Sequence, residues 1–241
     1  MAEVLPVSRV IVVVEGQTEQ DFVRDVLAPW LGARGVYLSA RLVGKPGHKG
    51  GVGEYRRART DILILLKSEP VATVTTMFDF FRMPESWPGR REASAKPTAA
   101  ERAAMVERAI LDDVVAAMGP SFRSDRFLPY VQMHEFEALI FVDPSVTSEV
   151  LGSPGMAMNL QRIRSEFASP EEIDDGSTTA PSKRLESLFG NYRKRLHGPI
   201  ITNRIGFEAL RSACPHFAGW LESLLRCRDT GGAGAETRPG P

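Results

Sequence analysis

Carboxylates stand at three points of this chain where a predicted strand ends. They belong to Glu15, to Asp79 and to the closely spaced pair Glu135 and Glu137. Ligands of open α/β sheets bind beyond the carboxyl ends of the strands, so we expect these acids to face one pocket. Carboxylates held together raise one another's pKa unless a cation neutralises them. Because carboxylate oxygens suit Mg²⁺ and Mn²⁺, the pattern predicts a metal site formed by these four residues.

A second explanation of the same acids needs no metal. A negative charge near the N-terminus of a helix is favourable, so each acid could simply cap the helix that follows its strand. For Glu19, in the first turn of such a helix, we expect a supporting role rather than direct contact with a metal. If a helix has already begun at Glu135, that residue and Glu137 point roughly 200° apart and one of them reaches the pocket.

Basic residues concentrate in two stretches, residues 41–59 and 182–204. Each stretch contains six Lys or Arg residues and one acid, and the first includes a glycine-rich loop. Basic patches beside an acidic metal centre suit a groove for a phosphodiester backbone, although arginines on helices also serve as a solubilising surface. The residues that we expect to bind phosphate or nucleic acid are Lys45, Lys49, Lys183 and Arg184, with Lys183 closest to the chemistry.

Several other kinds of site are disfavoured by the sequence. The glycine-rich loop matches neither a Walker A motif nor a dinucleotide fingerprint, which argues against ATP or NAD as a cofactor. No G-x-S-x-G motif for a serine nucleophile occurs. The only cysteines, Cys214 and Cys227, form no disulfide framework and no thiolate zinc motif.

The composition is that of an ordinary globular protein. The 241 residues include 30 Lys and Arg and 30 Asp and Glu, so zero net charge excludes wholesale attraction to polyanions but allows a local basic groove. Uncharged apolar runs reach only about five residues, whereas a membrane-spanning helix needs roughly 20. Charges also interrupt the first 14 residues, which do not resemble a signal peptide. We therefore expect a cytoplasmic protein.

Alternating strand and helix patterns predict an α/β fold with a parallel sheet flanked by helices. The predicted strands are Arg9–Glu15, Val36–Val43, Val71–Asp79 and Arg126–Met133, and the helices among them include Glu54–Lys67 and Ala99–Met118. Shorter helices follow at Asn159–Phe167, Lys183–Leu196, Glu208–Ala213 and Phe217–Cys227. We expect an α/β core over residues 1–145, a helical C-terminal extension over 146–228 and a disordered tail over 229–241.

Several motifs resemble those of a bacterial protein family of unassigned function with a Toprim-like core. They are V-E-G-x-T-E at Val14–Glu19, M-F-D-F-F at Met77–Phe81, M-H-E-F-E-A-L at Met133–Leu139, P-S-K-R-L at Pro181–Leu185 and I-T-N-R-I-G…C-P-H-F-x-x-W at Ile201–Trp220. The Toprim group includes topoisomerases, primases and the overcoming-lysogenization-defect (OLD) nucleases. The resemblance covers nearly the whole chain and implies a Toprim-like Rossmannoid fold.

The resemblance also implies roles for individual residues. Glu15 corresponds to the acid of the first Toprim motif, in proton transfer or metal binding, and Asp79 to the first aspartate of the D-x-D motif. Phe81 stands where the second aspartate is expected, so a two-metal arrangement would require Glu135 or Glu137 as a substitute. The implied activity is Mg²⁺- or Mn²⁺-dependent cleavage of nucleic acid, catalysed by Glu15, Asp79 and Lys183.

Members of this family resemble partners of AAA- or ABC-type ATPases in phage-defence or mobile gene clusters. One alternative is therefore a Toprim-like subunit that has lost turnover and acts as a regulatory or sensor subunit docked on such an ATPase. Another is a phosphohydrolase or nucleotidyl enzyme for small molecules, because an acidic site does not specify the length of its substrate. A homodimer is compatible with the sequence, and no membrane partner is expected.

Overall fold

In the part of the chain that the structure describes, five β-strands lie parallel in one sheet. This computed structural model describes residues 8–44, 53–174 and 176–230, with side chains as far as Cys227. The strands follow the order β2-β1-β3-β4, and β5 pairs with the end of β3 beyond β4. Their bounds are β1 (Ser8–Val14), β2 (Val36–Leu42), β3 (Thr73–Asp79), β4 (Phe127–Leu128) and β5 (Val131–Gln132).

Helices connect the strands and form the C-terminal part of the described chain. They are α1 (Gln17–Phe22), α2 (Ala28–Gly32), α3 (Tyr55–Ser68), α4 (Arg90–Ala93), α5 (Ala99–Met118), α6 (Pro144–Val150), α7 (Ala157–Ser165), α8 (Pro181–Leu188), α9 (Lys194–Ile205), α10 (Phe207–Ala213) and α11 (Pro215–Thr230). A π-helical turn, Val23–Leu27, joins α1 to α2, and the main 3₁₀ helix is Phe136–Val142. Shorter 3₁₀ turns lie at Ser124–Arg126, Pro154–Met156 and Pro170–Glu172. In the described ranges, no helix combines the length and apolar character needed to cross a membrane.

Strand β1 explains why helices cover both faces of the sheet. Its five consecutive residues from Val10 to Val14 are all buried, as expected for a strand in the middle of a parallel sheet. Val10, Val12 and Val14 pack into a core with α1, α10 and α11, whereas Val13 packs into a second core with α3 and α5. The predicted α/β class, a parallel sheet flanked by helices with a helical C-terminal part, is confirmed.

The predicted fourth strand is interrupted in the middle. Proline has no backbone N–H, so Pro129 removes a donor from the ladder between β4 and β5. Threonine side chains of β3 replace the missing ladder bonds: Thr76 Oγ1 donates to the carbonyl of Tyr130 and accepts from its N–H, both at 2.8 Å. Thr75 Oγ1 likewise donates to the carbonyl of Leu128. The strand pieces therefore stay attached to β3.

The single helix predicted over Lys183–Leu196 is wrong. Helix α8 ends at Leu188, and α9 begins only at Lys194. The chain becomes extended at Phe189, whose side chain is buried in the core, and Asn191 Nδ2 donates to the carbonyl of Leu151 at 3.3 Å. These contacts with distant residues outweigh the local helical pattern, and they place Lys183 and Lys194 on separate helices.

Candidate active site

Two hydrogen bonds join the strand ends that carry the predicted acids. The backbone N–H of Asp79, the last residue of β3, donates to Glu15 Oε2 at 3.3 Å. The N–H of Phe136, at the start of the 3₁₀ helix after β5, donates to Asp79 Oδ1 at 2.9 Å. Asp79 is 8% exposed and Glu135 is 6% exposed. The structure therefore brings Glu15, Asp79 and the segment of Glu135 and Glu137 together at the carboxyl edge of the sheet.

Lys194 lies at the centre of this group. Its ammonium nitrogen is 3.1 Å from Glu137 Oε2, 3.2 Å from Asp79 Oδ2 and 3.4 Å from Glu19 Oε1. As the first residue of α9, it reaches the sheet from the helical C-terminal part. The sequence pattern favours Lys183 and does not single out Lys194. Its only signal was membership of the basic stretch 182–204, which does not distinguish one lysine from another.

Glu19 contacts the central ammonium directly, although a supporting role was expected for it. The side chain is buried, at 3% exposed, and lies one helical turn after Glu15. Gly16 makes room for it, since a Cβ atom at Gly16 would lie 2.9 Å from Glu19 Oε2. The glycine of the V-E-G-x-T-E motif thus permits two glutamates, four residues apart, to face the same pocket.

Glu135 and Glu137 both line the site, because the helix begins after Glu135. Glu135 has extended backbone angles, and its carboxylate accepts hydrogen bonds from the N–H of Ser182 at 2.9 Å and from Ser182 Oγ at 3.0 Å. Glu137 is fully buried and accepts a hydrogen bond from the hydroxyl of Tyr192 at 3.3 Å, in addition to contacting Lys194. Glu135 is thereby tied to α8, and Glu137 to the start of α9.

Two adjoining cavities open at this group. The larger one, which we call the acidic cavity, has a volume of about 520 Å³, and its charged lining residues are Glu15, Glu19, Asp79, Glu135, Arg82 and Lys194. The smaller one, the side cavity, has a volume of about 200 Å³ and is lined by charged residues of both signs, Glu135, Glu137, Glu186, Arg82, Lys183 and Lys194. Phe81, at the position of the absent second aspartate, lines both cavities.

Burial and crowding of like charges shift the protonation of this group. Burial raises the pKa of Glu137 to about 7, an effect that Lys194 opposes and Glu135 reinforces. Burial also raises the pKa of Asp79 well above its usual value, and the charges of Glu19 and Glu15 add to that shift. Burial disfavours the charged form of Lys194, but the surrounding carboxylates stabilise that form more strongly. The pKa of Lys194 is therefore raised well above its usual value. Because several carboxylates share the one ammonium of Lys194, their negative charge is only partly neutralised.

The chemistry of these donors fits a hard divalent cation. Within residues 8–44, 53–174 and 176–230, no three acidic, histidine or cysteine side chains are spaced as ready metal ligands, because the carboxylates are arranged around the lysine instead. Glu19 Oε1 and Glu137 Oε2 are nevertheless buried oxygens that accept no well-aligned hydrogen bond from a described group. Buried carboxylate oxygens with unused lone pairs are what Mg²⁺ or Mn²⁺ would satisfy.

The predicted nucleic-acid-binding residues are placed differently from one another. Lys183 lines the side cavity and forms an ion pair with Glu186 at 2.7 Å. Arg184 is only 16% exposed at its side chain, donates to the carbonyl of Thr179 at 2.6 Å and stacks over a phenylalanine ring. Lys45 and Lys49 lie outside the described residues, as does most of the predicted tail, residues 231–241.

Comparisons with known proteins identify the family. No curated protein matches the chain. A solved structure of the C-terminal region of the OLD protein of Xanthomonas campestris pv. campestris is similar to it with a TM-score of 0.36 and 16% sequence identity, over 93% of this chain and 96% of that one. A family model described as a domain of unknown function, DUF4276, matches residues 14–225. Since that match spans most of the sequence, the chain belongs to the DUF4276 family.

Proposed function

We propose that this protein is a Mg²⁺- or Mn²⁺-dependent nuclease that hydrolyses phosphodiester bonds in nucleic acid. The observation that carries the proposal is the convergence of carboxylates from separate segments, represented by Glu15, Asp79 and Glu135, on one cavity that also contains Lys194. Asp79 and Glu137 are buried, have raised pKa values and share Lys194, which is typical of catalytic sites rather than of solvated helix caps.

The acidic residues of the two cavities take three roles in this proposal. Asp79 and Glu137, with Glu19 and Glu15 beside them, would hold the metal ion, and Glu135 would orient the segment through Ser182. When bound, the ion would neutralise charge on the phosphate and lower the pKa of water. Glu15, at the end of β1, would accept the proton of the attacking water.

Lys194 would contribute positive charge where negative charge develops. Its ammonium remains protonated at neutral pH because its pKa is raised, and it can donate a hydrogen bond to a phosphate oxygen while it stays in contact with Asp79 and Glu137. Preorganised donors of this kind stabilise a transition state without reorganising during the reaction. Lys183 would bind a neighbouring phosphate from the side cavity.

The decisive experiment compares E15Q and D79N with wild type on labelled DNA and RNA, in the presence of Mg²⁺ or Mn²⁺. Both variants preserve the size of the side chain, and we expect each to lower the cleavage rate at least about 100-fold while the circular dichroism spectrum stays unchanged. D112N, which changes an exposed aspartate on α5, is the matched control and should cleave like wild type. Equal cleavage by wild type, E15Q and D79N would contradict the proposal.

A second function is favoured by the ammonium at the centre of the acids. Lys194 already neutralises part of the charge that a metal would neutralise, which suits a Toprim-like regulatory subunit that docks on an ATPase partner without turnover. In that case, purified protein would cleave neither DNA nor RNA, and Mn²⁺ would not raise its melting temperature. Stable co-purification with an ATPase would then support the regulatory role.

A further inference from the structure

Arg82 has an unusual backbone conformation beside the acidic cavity. It follows β3 closely and has φ of +62°, the one positive φ among the non-glycine residues that the structure describes. A Cβ atom makes left-handed backbone angles unfavourable, whereas glycine adopts these angles without that penalty. A non-glycine residue in this conformation persists only where the surrounding structure holds it in place.

The neighbours of Arg82 on both sides are held firmly. The N–H of Phe81 donates to the carbonyl of His134 at 2.8 Å, which fixes the chain before Arg82 to the segment after β5. The N–H of Met83 donates to the carbonyl of Phe80 at 3.1 Å, and the Met83 side chain is buried. These contacts on both sides therefore hold Arg82 in its left-handed conformation, and a glycine at position 82 would adopt that conformation with less strain than an arginine.

The side chain of Arg82 is positioned to meet a ligand of either cavity. It is exposed and lines both the acidic cavity and the side cavity. Its guanidinium carbon lies 5.1 Å from the centre of the Phe81 ring, and within the described chain no carboxylate forms an ion pair with it. Lys194, the other cation that lines both cavities, is surrounded by three carboxylates. Arg82 is thus the cation of the pair that is available to a ligand.

The charge of the acidic cavity creates the need for such a cation. Four carboxylates, those of Glu15, Glu19, Asp79 and Glu135, face two positive side chains there, so an approaching phosphate would be repelled. A guanidinium suits phosphate because its planar array of donors can bind two oxygens at once. Since Arg82 borders both cavities, a phosphate bound to it would have space for chain on either side, as in a nucleic-acid strand.

We propose that Arg82 is a phosphate-binding residue that positions the scissile phosphodiester of a nucleic-acid strand across the two cavities. The inference rests on the proposed nuclease function and adds to it a residue and a substrate geometry. It also accounts for an arginine at a position where glycine would give a more stable fold.

The test measures KM and kcat of R82A, R82K and R82G on a labelled oligonucleotide, together with binding by fluorescence anisotropy. Loss of a charge-assisted contact should raise KM at least about tenfold in R82A and R82G, with partial recovery in R82K. R91A, which removes an exposed arginine from the same segment, is the matched control and should retain wild-type values. Wild-type KM in R82A, or an equal loss in R91A, would overturn the inference.

A stability measurement separates this role from a merely structural one. Glycine relieves the left-handed strain, so R82G should melt about 2–4 °C above R82A although both bind poorly. A structural role for the Arg82 side chain predicts instead that R82G melts below wild type, and that result would also overturn the inference. If wild type fails to cleave but binds the oligonucleotide, the nuclease function fails, while selective loss of binding in R82A still supports the phosphate contact. If wild type neither cleaves nor binds, both proposals are overturned.

Discussion

The ammonium of Lys194 lies 3.2 Å from Asp79 Oδ2, although 115 positions separate the two residues in the chain. Asp79 ends the central strand β3, and Lys194 begins α9 in the helical C-terminal part. The predicted boundary after residue 145 therefore falls between residues that share one cavity. The helices after the sheet contribute directly to the candidate active site.

Replacing Lys194 should affect the site far more than replacing Lys183. In K194M the carboxylates of Asp79, Glu19 and Glu137 lose their common cation, and we expect cleavage to fall at least about 100-fold. The free energy of unfolding of the metal-free protein should fall by about 1–3 kcal/mol, less than for a fully buried ion pair because a third of the lysine side chain is exposed. K183M loses only one ion pair, with the exposed Glu186, and should lose much less of both. Comparable cleavage by the two variants would contradict the central position of Lys194.

Gly198 of α9 is required by the close approach of Phe136. A Cβ atom at position 198 would lie 2.6 Å from Phe136 Cε1, and the N–H of Phe136 donates to Asp79. We expect G198A to lower the free energy of unfolding by about 1–3 kcal/mol and to reduce cleavage, because the displaced ring carries Glu135 and Glu137 with it. Chemical denaturation and activity assays measure the two effects.

Gly219 of α11 supplies the opposite control. An added Cβ there meets nothing within 4 Å, so G219A should raise the free energy of unfolding by up to about 1 kcal/mol through helix propensity alone. Activity should not change. If G198A were as stable and as active as G219A, the contact between Gly198 and Phe136 would not constrain the site.

The ion pair between His216 and Glu107 should make stability depend on pH. Burial disfavours the imidazolium, but the hydrogen bond from His216 to Glu107, at 2.9 Å, and the charge of Glu107 outweigh it and raise the pKa of His216 above 6.5. The folded protein then binds this proton more tightly than the unfolded chain does. The stabilisation is fully present below about pH 6.5 and is lost as the pH rises through the folded pKa.

The variant E107Q tests this dependence. We expect the free energy of unfolding of wild type to fall by on the order of 1 kcal/mol between pH 6 and pH 8.5, and the fall to be smaller in E107Q. The glutamine keeps an acceptor for the N–H of Val131, which Glu107 binds at 2.8 Å. Urea titrations measure the free energy of unfolding at each pH. If its pH dependence were the same in wild type and E107Q, the ion pair between His216 and Glu107 would not be the cause of that dependence.

Metal binding should strengthen as Glu137 loses its proton. Since burial raises the pKa of Glu137 to about 7, this carboxylate is partly protonated at neutral pH and competes poorly for a cation below it. We expect Mn²⁺ to raise the melting temperature of wild type more at pH 8 than at pH 6. In E137Q, Mn²⁺ should raise the melting temperature only slightly at both pH 6 and pH 8. If Mn²⁺ raised the melting temperature of wild type equally at the two pH values, that result would argue against Glu137 as a ligand.

Local sequence was sufficient for most of the sheet and for the first contacts of the site. The buried run in β1 and the carboxylates after β1 and β3 are readable because a parallel strand is apolar throughout and its ligands lie at its end. The break between α8 and α9 was not readable, since it depends on Phe189 packing in the core and on Asn191 contacting the carbonyl of Leu151. The same break places Lys183 and Lys194 on separate helices.

The sequence alone determined the α/β class and the acids that stand at the strand ends, because periodicity and strand boundaries are local properties of the chain. The tertiary structure decided which lysine meets those acids, that Glu19 faces them and that Arg82 stands at both cavities. These relationships join residues far apart in sequence, and they exist only once α9 packs against the edge of the sheet.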